Sequence, residues 1–239
     1  MSNELEDLAN FYYCDKGTIH LPGRIVGHGF TDTYYEIWKD IRYEVENVLE
    51  IGIYHGAGLK TLRDFFLNAT IYGIDVQTFP SDGLYDIGRV ETSLCNQIDR
   101  PRLEELFKDK SFDIILDDGG HNTIYQQKSL AYLFKFVKPG GMYIVEDLHT
   151  SLMGSVWGLP PEDPYTCLKV LRNFEETGKI YTPHIEKEDL HYLNEQIKDV
   201  KVVDTKRTIC QPLSQKCDLT SIIMKEEVYN SGAGDEDNA

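Results

Sequence analysis

Short apolar runs alternate with amphipathic stretches through the middle of this chain. Residues 45–53 (VENVLEIGI), 70–76 (TIYGIDV), 112–118 (FDIILDD) and 142–147 (MYIVED) are runs of strand length that end in glycine or an acid, and 89–94 is a shorter fifth. Between them lie helical patterns. Residues 58–67 set Leu59, Leu62, Phe65 and Phe66 on one face. Residues 102–108 follow Pro101, and 123–137 run up to Pro139-Gly140-Gly141 as a stop. Strands separated by helices of this length predict an α/β fold: a Rossmann-like, doubly wound, mostly parallel seven-stranded sheet with helices on both faces.

The flanks complete the count. Tyr34, Ile37, Trp38 and Ile41 fall at i, i+3, i+4 and i+7, with Thr33 and Glu36 spaced as a capping box. Past residue 147 the pattern loosens. Residues 151–164 hold Gly, Pro and Trp157 and read as a lid. Helices are expected over 165–174 and 189–197, and closing strands over 200–205 and 219–228. We expect one domain over 1–230, with a helical segment at 1–44, a lid and acceptor region at 151–199, and a small, polar, acidic, disordered tail at 231–239.

Composition narrows the function classes. The chain of 239 residues carries 24 basic and 40 acidic side chains, a net charge of −16. A field of that sign repels phosphates, which makes the chain a poor candidate for binding nucleic acid or anionic membranes and leaves open a small ligand in a local site. Neither a signal peptide nor a membrane-inserting run of about 18 apolar residues is read from the sequence. Five scattered cysteines without a CxxC pair argue against a disulfide framework or structural zinc and fit a reducing cytoplasm. A homo-oligomer is compatible with all of this.

In an open α/β sheet, ligands bind beyond the carboxyl ends of the strands. Three strand ends carry polar chemistry. The first is Glu50-Ile-Gly52-Ile-Tyr-His-Gly56-Ala-Gly58, whose glycines permit a tight turn and close approach of a ligand; the alternative is a plain turn. A buried strand-end acid such as Glu50 needs a partner. The second is Asp75, 23 residues after Gly52, placed to bind ribose hydroxyls of a nucleoside cofactor or to act as an exposed cap. The third joins Asp117-Asp118-Gly-Gly-His121 to Glu146-Asp147-Leu-His149, on strands that should be neighbours. Acids so gathered repel, and a divalent cation relieves them; oxygen ligands suit Mg²⁺ or Mn²⁺. The alternative is that Asp118 and Asp147 cap helices while the histidines pack.

These motifs resemble a known family. Glu50-Ile-Gly52-x-x-x-Gly56-x-Gly58 with Asp75 is similar to the cofactor site of class I S-adenosylmethionine-dependent methyltransferases. Asp117-Asp118-Gly-Gly-His121 with Lys138-Pro-Gly-Gly-Met-Tyr-Ile-Val-Glu146-Asp147-Leu-His149-Thr150-Ser151 resembles the metal-dependent sugar O-methyltransferases of macrolide tailoring. Asp15-Lys16-Gly17-Thr18 and His28-Gly29-Phe30-Thr31 match that family's N-terminal pattern. The likeness covers about residues 12–151 and the final strand pair. It implies an enzyme that uses S-adenosylmethionine, bound by Glu50, Gly52, Gly56, Asp75, Asn96, Gln97 and Asp117. It implies Mg²⁺ or Mn²⁺ on Asp118, Glu146 and Asp147, and a proton-accepting histidine at His121, with His149 as the other candidate. Cys95-Asn96-Gln97 departs from the family's Gly-Asp-Gln, and a large N-terminal domain of the macrolide enzymes is not expected here. The implied acceptor is a sugar hydroxyl of a glycan, a polysaccharide precursor or a glycosylated small molecule. A catechol-type acceptor, a nicotinamide-dependent oxidoreductase and a non-catalytic scaffold are the rival readings. Trp157 is either a stacking surface for the acceptor or lid packing, and His20 and His28 either reach the site or lie on the surface.

Overall fold

The alternation of strands and helices folds as read, around one sheet. The structure is a computed structural model and describes residues 2–21, 24–77, 88–205 and 219–227. Cys210, Cys217 and the stretch read as an acidic tail lie outside the described residues, as does the side chain of His20. In chain order, helix α1 (Glu4–Phe11) leads into a small ribbon of β1 (Ile19–Leu21) and β2 (Arg24–Val26), then α2 (Thr31–Trp38). The sheet begins with β3 (Asn47–Ile51), α3 (Ala57–Phe65), β4 (Thr70–Asp75), β5 (Val90–Leu94), α4 (Arg100–Phe107), β6 (Phe112–Asp117), α5 (Thr123–Leu133) and β7 (Val137–Val145). It closes with α6 (Cys167–Thr177), α7 (Lys187–Gln196), β8 (Ile197–Asp204) and β9 (Leu219–Lys225).

The strand order is β5-β4-β3-β6-β7-β9-β8. β9 runs antiparallel to both neighbours, and the other pairings are parallel. Two faces bury two cores. Val48, Ile71, Ile114, Leu116 and Ile144 pack beneath α1, α2 and α3. Leu49, Ile51, Ile74, Ile115 and Val145 pack with residues of α4 to α7. Each large apolar side chain so buried contributes roughly 1.5–3 kcal/mol.

Three expectations are corrected. The Thr33–Glu36 capping box does not form: α2 starts at Thr31, its N-cap is Phe30 in helical conformation, and Glu36 pairs with Lys39 instead. Pro139-Gly140-Gly141 does not stop a helix. α5 ends at Leu133 and relaxes through a 3₁₀ turn, and these residues already belong to β7. The 1–44 segment is not wholly helical, since the β1–β2 ribbon crosses it. Of the stretch read as lid, α6 and α7 give Leu171, Phe174 and Leu193 to the core, leaving residues 148–164 beside the site.

Candidate active site at the carboxyl edge of the sheet

The strand ends are level with one another. Gly52 N–H donates to Ile74 O, Asp118 N–H to Ile51 O, Glu146 N–H to Asp117 O and Cys95 N–H to Asp75 O, at 2.9–3.0 Å. Strand periodicity then sorts the side chains. Glu50, Asp118 and Glu146 share the face of Leu116 and Ile144. Asp117 takes the opposite face with Ile115.

On the first face the acids converge on a residue from outside the sheet. Lys16, only 5% exposed, follows α1. Its Nζ lies 3.2 Å from Glu50 Oε1 and 3.2 Å from Glu146 Oε2 and donates to Asp118 Oδ2. Burial alone would lower the lysine's pKa; the three carboxylates outweigh it and raise it well above its usual value. Burial pushes the Glu50 carboxyl up to about 7 against the pull of Lys16. Glu146 also accepts from Tyr34 Oη at 2.7 Å, and burial raises its pKa well above the usual range. Lys16 is the partner that Glu50 required, and its role escaped the motif reading. The signal is present in Asp15-Lys16-Gly17-Thr18, but nothing in the order of residues says that α1 packs on α2 and α3 and so brings Lys16 to the end of β3.

Beyond this cluster, Asp118, His121 and Asp147 each offer a ligand atom, all within 4.8 Å of one another. His121 Nε2 stands 3.5 Å from Asp147 Oδ2 and 4.0 Å from Asp118 Oδ1. His28 and His149 both place Nδ1 3.6 Å from Asp147 Oδ1, so His28 does reach the site. The capping alternative for Asp118 and Asp147 does not hold. The cap of α5 is Asn122, which accepts from Ile124 N–H and Tyr125 N–H, and Asp147 makes no side-chain cap bond. Two predicted residues stand apart from this group. Glu146 is not among the three, and its oxygens meet Lys16 and Tyr34. Asp117 does not line the cavity: its buried carboxylate accepts from Ser129 Oγ, from Tyr143 Oη at 2.9 Å and from Gln97 Nε2 at 3.1 Å. Burial raises its pKa to about 6.

The donor set fits a divalent cation. Asp147 Oδ1 and His121 Nδ1 are buried without a hydrogen bond, and four carboxyls gather about one ammonium, with burial raising the pKa of Glu50, Glu146 and Asp147. Asp118 and Asp147 supply oxygen donors that suit Mg²⁺ or Mn²⁺, and the His121 imidazole stands beside them.

Two cavities flank Gly52 and Gly119. One, of about 420 Å³, is lined by Tyr13, Lys16, Glu50, Gly58, Asp118 and His121 among others. The second, of about 440 Å³, is lined by Ile51, Ile74, Val76, Cys95, Asn96, Gln97, Gly120 and Tyr125. Asp75 lines both. It is no idle cap, since it accepts from Ile53 N–H at 2.8 Å and Tyr54 N–H at 3.2 Å and pins the turn. The glycines serve the protein's own packing. A Cβ on Gly52 would lie 2.2 Å from Asp118 O, and one on Gly58 2.2 Å from Glu50 Oε1. Gly56 caps α3 in left-handed conformation with no side-chain cap, leaving the helix N-terminus facing the first cavity. Four non-glycine residues with positive φ ring that cavity: Tyr13 (57°), Tyr54 (47°), His121 (48°) and Asp147 (54°). Trp157 stands over His121, with ring centroids 6.3 Å apart.

The sheet order and its polar carboxyl edge are those of a Rossmann-like α/β fold, which the chain shares with a solved methyltransferase. No family model matches the chain. It is similar to mycinamicin VI 2''-O-methyltransferase of Micromonospora griseorubida, 32% identical over 148 residues that are 59% of this chain and 36% of that protein. It is also similar to the 8-demethyl-8-(2-methoxy-alpha-L-rhamnosyl)-tetracenomycin-C 3'-O-methyltransferase of Streptomyces olivaceus, 36% identical over 132 residues, 52% of this chain and 33% of that protein. The chain thus spans about a third of the length of the curated relatives it matches. Among solved structures, MycE methyltransferase from the mycinamycin biosynthetic pathway, in complex with Mg and SAH, superposes with TM-score 0.71 at 25% identity, over 98% of this chain and 58% of that one. Among the described residues, no helix is long and apolar enough to cross a membrane.

Proposed function

We propose that this chain is an S-adenosylmethionine-dependent, divalent-metal-assisted O-methyltransferase acting on a sugar hydroxyl of a glycan, polysaccharide precursor or glycosylated natural product. One observation carries the reading: Asp118, His121 and Asp147 converge on the wall of the same cavity that Glu50, Gly58 and Asp75 line. The sugar O-methyltransferase relatives and the MycE complex with Mg and SAH support it.

The bound cofactor supplies an activated methyl group, and a divalent cation lowers the pKa of a hydroxyl that it chelates. This chain's residues do the rest. Glu50 and the uncapped N-terminus of α3 receive the amino-acid end of the cofactor. Asp75 takes ribose hydroxyls with the lone pairs left over from the turn. The apolar slot over Cys95, Asn96 and Tyr125 receives the base. Asp118 and Asp147 hold the cation. His121 Nε2 takes the acceptor's proton, and Asp147 Oδ2 at 3.5 Å stabilises the resulting imidazolium. His121 lines the cavity, which supports it as the base, and His149, with Nδ1 3.6 Å from Asp147 Oδ1, is the candidate for orienting that carboxylate. Trp157, above His121, offers a face to the acceptor ring.

Calorimetric binding of S-adenosylhomocysteine, with Mg²⁺ and again with EDTA, tests the core of the reading, with NADH as control. Binding of S-adenosylhomocysteine but not NADH, and a Mg²⁺ signal lost in Asp118→Ala, are the expected results. A screen of glycosides, sugar nucleotides and catechols then separates the acceptors, and turnover of catechols alone overturns the sugar assignment. Absence of S-adenosylhomocysteine binding in both conditions would sink the whole reading.

A further inference from the structure

We infer that Lys16 is a positioning residue that sets one oxygen of each of two working acids, Glu50 for the cofactor and Asp118 for the cation, and so ties the two half-sites to the N-terminal segment. The inference rests on the proposed function and goes beyond it.

The geometry is that of a three-way hub. Lys16 Nζ lies against Glu50 Oε1, Asp118 Oδ2 and Glu146 Oε2. The other oxygen of each is thereby offered elsewhere. Glu50 Oε2 has no hydrogen-bond partner, and the residue lines the first cavity. Asp118 Oδ1 faces His121 Nε2 at 4.0 Å. Glu146 Oε1 accepts from Tyr34 at 2.7 Å. Glu146 thus meets Tyr34 and Lys16 through different oxygens, whereas Glu50 Oε2 is buried without a hydrogen bond. A carboxylate has two chemically equivalent oxygens, and a donor held against one of them fixes which way the other points. An ammonium with three donors on a fixed stem holds three at once.

The segment that carries Lys16 is itself tightly built. Cys14 N–H donates to Ala9 O at 2.8 Å and His28 N–H to Asp15 O at 2.6 Å. Thr18 N–H donates to the buried Glu6 at 2.9 Å, and Thr31 Oγ1 donates to the same carboxylate. Gly17 leaves no room for a Cβ, which would lie 2.9 Å from Ala9 Cβ. A lysine needed only as a neutralising charge would not require its backbone to be braced from both sides.

The test is a pair of binding cycles on the full chain. Lys16→Gln, Glu50→Gln and the double variant are titrated with S-adenosylhomocysteine in EDTA. Lys16→Gln, Asp118→Asn and their double are titrated with Mn²⁺ alone, read by electron paramagnetic resonance. Thermal unfolding is recorded for each. Lys16→Gln is expected to weaken S-adenosylhomocysteine about tenfold or more; for Mn²⁺ the loss of an ammonium that repels the dication opposes the loss of positioning, and a net weakening of about threefold or more is expected. In a background already lacking Glu50 or Asp118, the same change should cost less than about twofold for the corresponding ligand. A purely structural lysine gives equal penalties in both backgrounds, and that result overturns the inference. So does wild-type affinity in a folded Lys16→Gln variant. Failure of both Lys16→Gln and Lys16→Met to fold also overturns it, in favour of a structural counter-ion. If the wild-type chain binds no S-adenosylhomocysteine, the proposed function falls first, and the two failures are told apart by that control.

Discussion

The two cavities at the sheet edge are nearly equal in size, about 420 and 440 Å³, and share Gly52, Asp75 and Gly119. Their chemistry is opposite. The first is walled by Lys16, Glu50, Asp118, His121 and Asp147, whereas the second has Asp75 as its one charged side chain and is otherwise Ile51, Ile74, Val76, Cys95 and small or neutral polar groups. The difference follows from the two-residue period of the strands. Glu50 and Ile51 are neighbours in sequence and opposed in space, as are Asp118 and Asp117. One edge therefore gives a charged chamber for reaction and an apolar slot for holding, without any insertion between them.

His121→Ala is the sharpest way to break that division. Turnover should fall by about 10²- to 10⁴-fold, the usual worth of a positioned general base, with S-adenosylhomocysteine affinity kept within about twofold. Methyl transfer from labelled cofactor and calorimetry give the two numbers, and an equal loss in both would mean that the chambers are not separate. Gly58→Ala and Tyr125→Ala contrast the two walls. The Cβ that Gly58→Ala adds would lie 2.2 Å from Glu50 Oε1, and such overpacking costs about 1–3 kcal/mol. S-adenosylhomocysteine should weaken about 10- to 100-fold, with a lowered melting temperature. Tyr125→Ala removes a half-exposed ring from the slot. A loss of about tenfold is expected there, with unchanged turnover at saturating cofactor.

Acidity offers the gentlest probe. Burial raises Glu50 to about 7 and Asp117 to about 6 in the folded protein. A carboxyl raised on folding binds more protons folded than unfolded, so its contribution is full below the unfolded value and is lost as pH rises through the folded one. Stability of the ligand-free protein should therefore decline from about pH 4.5 to 7 on account of these groups. Glu50→Gln should flatten the upper part of that decline and Asp117→Asn the lower part. Chemical denaturation at half-unit steps of pH would show it, and a rise in wild-type stability across the window would contradict the buried-acid account.

Much of this was legible in the sequence. The strands of the sheet follow from apolar runs with acids or glycine at their ends, and adjacency of β6 and β7 was enough to bring Asp118, His121 and Asp147 together. Asp117 could have been assigned from the same alternation that placed Ile115 and Leu116 on opposite faces; reading it as part of an acidic cluster ignored the pleat. Glu146 obeys the pleat but meets Lys16, a contact across 130 residues of chain. No local pattern encodes such a contact, because it depends on where α1 docks. The turn glycines were found for a reason that was only half right. They admit neighbouring parts of the protein, the Asp118 carbonyl and the Glu50 carboxylate, as much as a ligand.

The left-handed residues around the charged cavity bear on how this protein could be improved or ruined. Backbone in that region costs a non-glycine residue on the order of 1–3 kcal/mol, less for an aspartate. Tyr13, Tyr54, His121 and Asp147 all sit there. A campaign that selects variants for heat resistance would be rewarded at these same positions, since glycine or asparagine relieves the backbone. Two of the four are the proposed base and its carboxylate partner, and the other two stand at the cavity mouth. Thermal selection alone would thus drift toward a sturdier and idle protein, and any such effort must screen for ligand binding at every round.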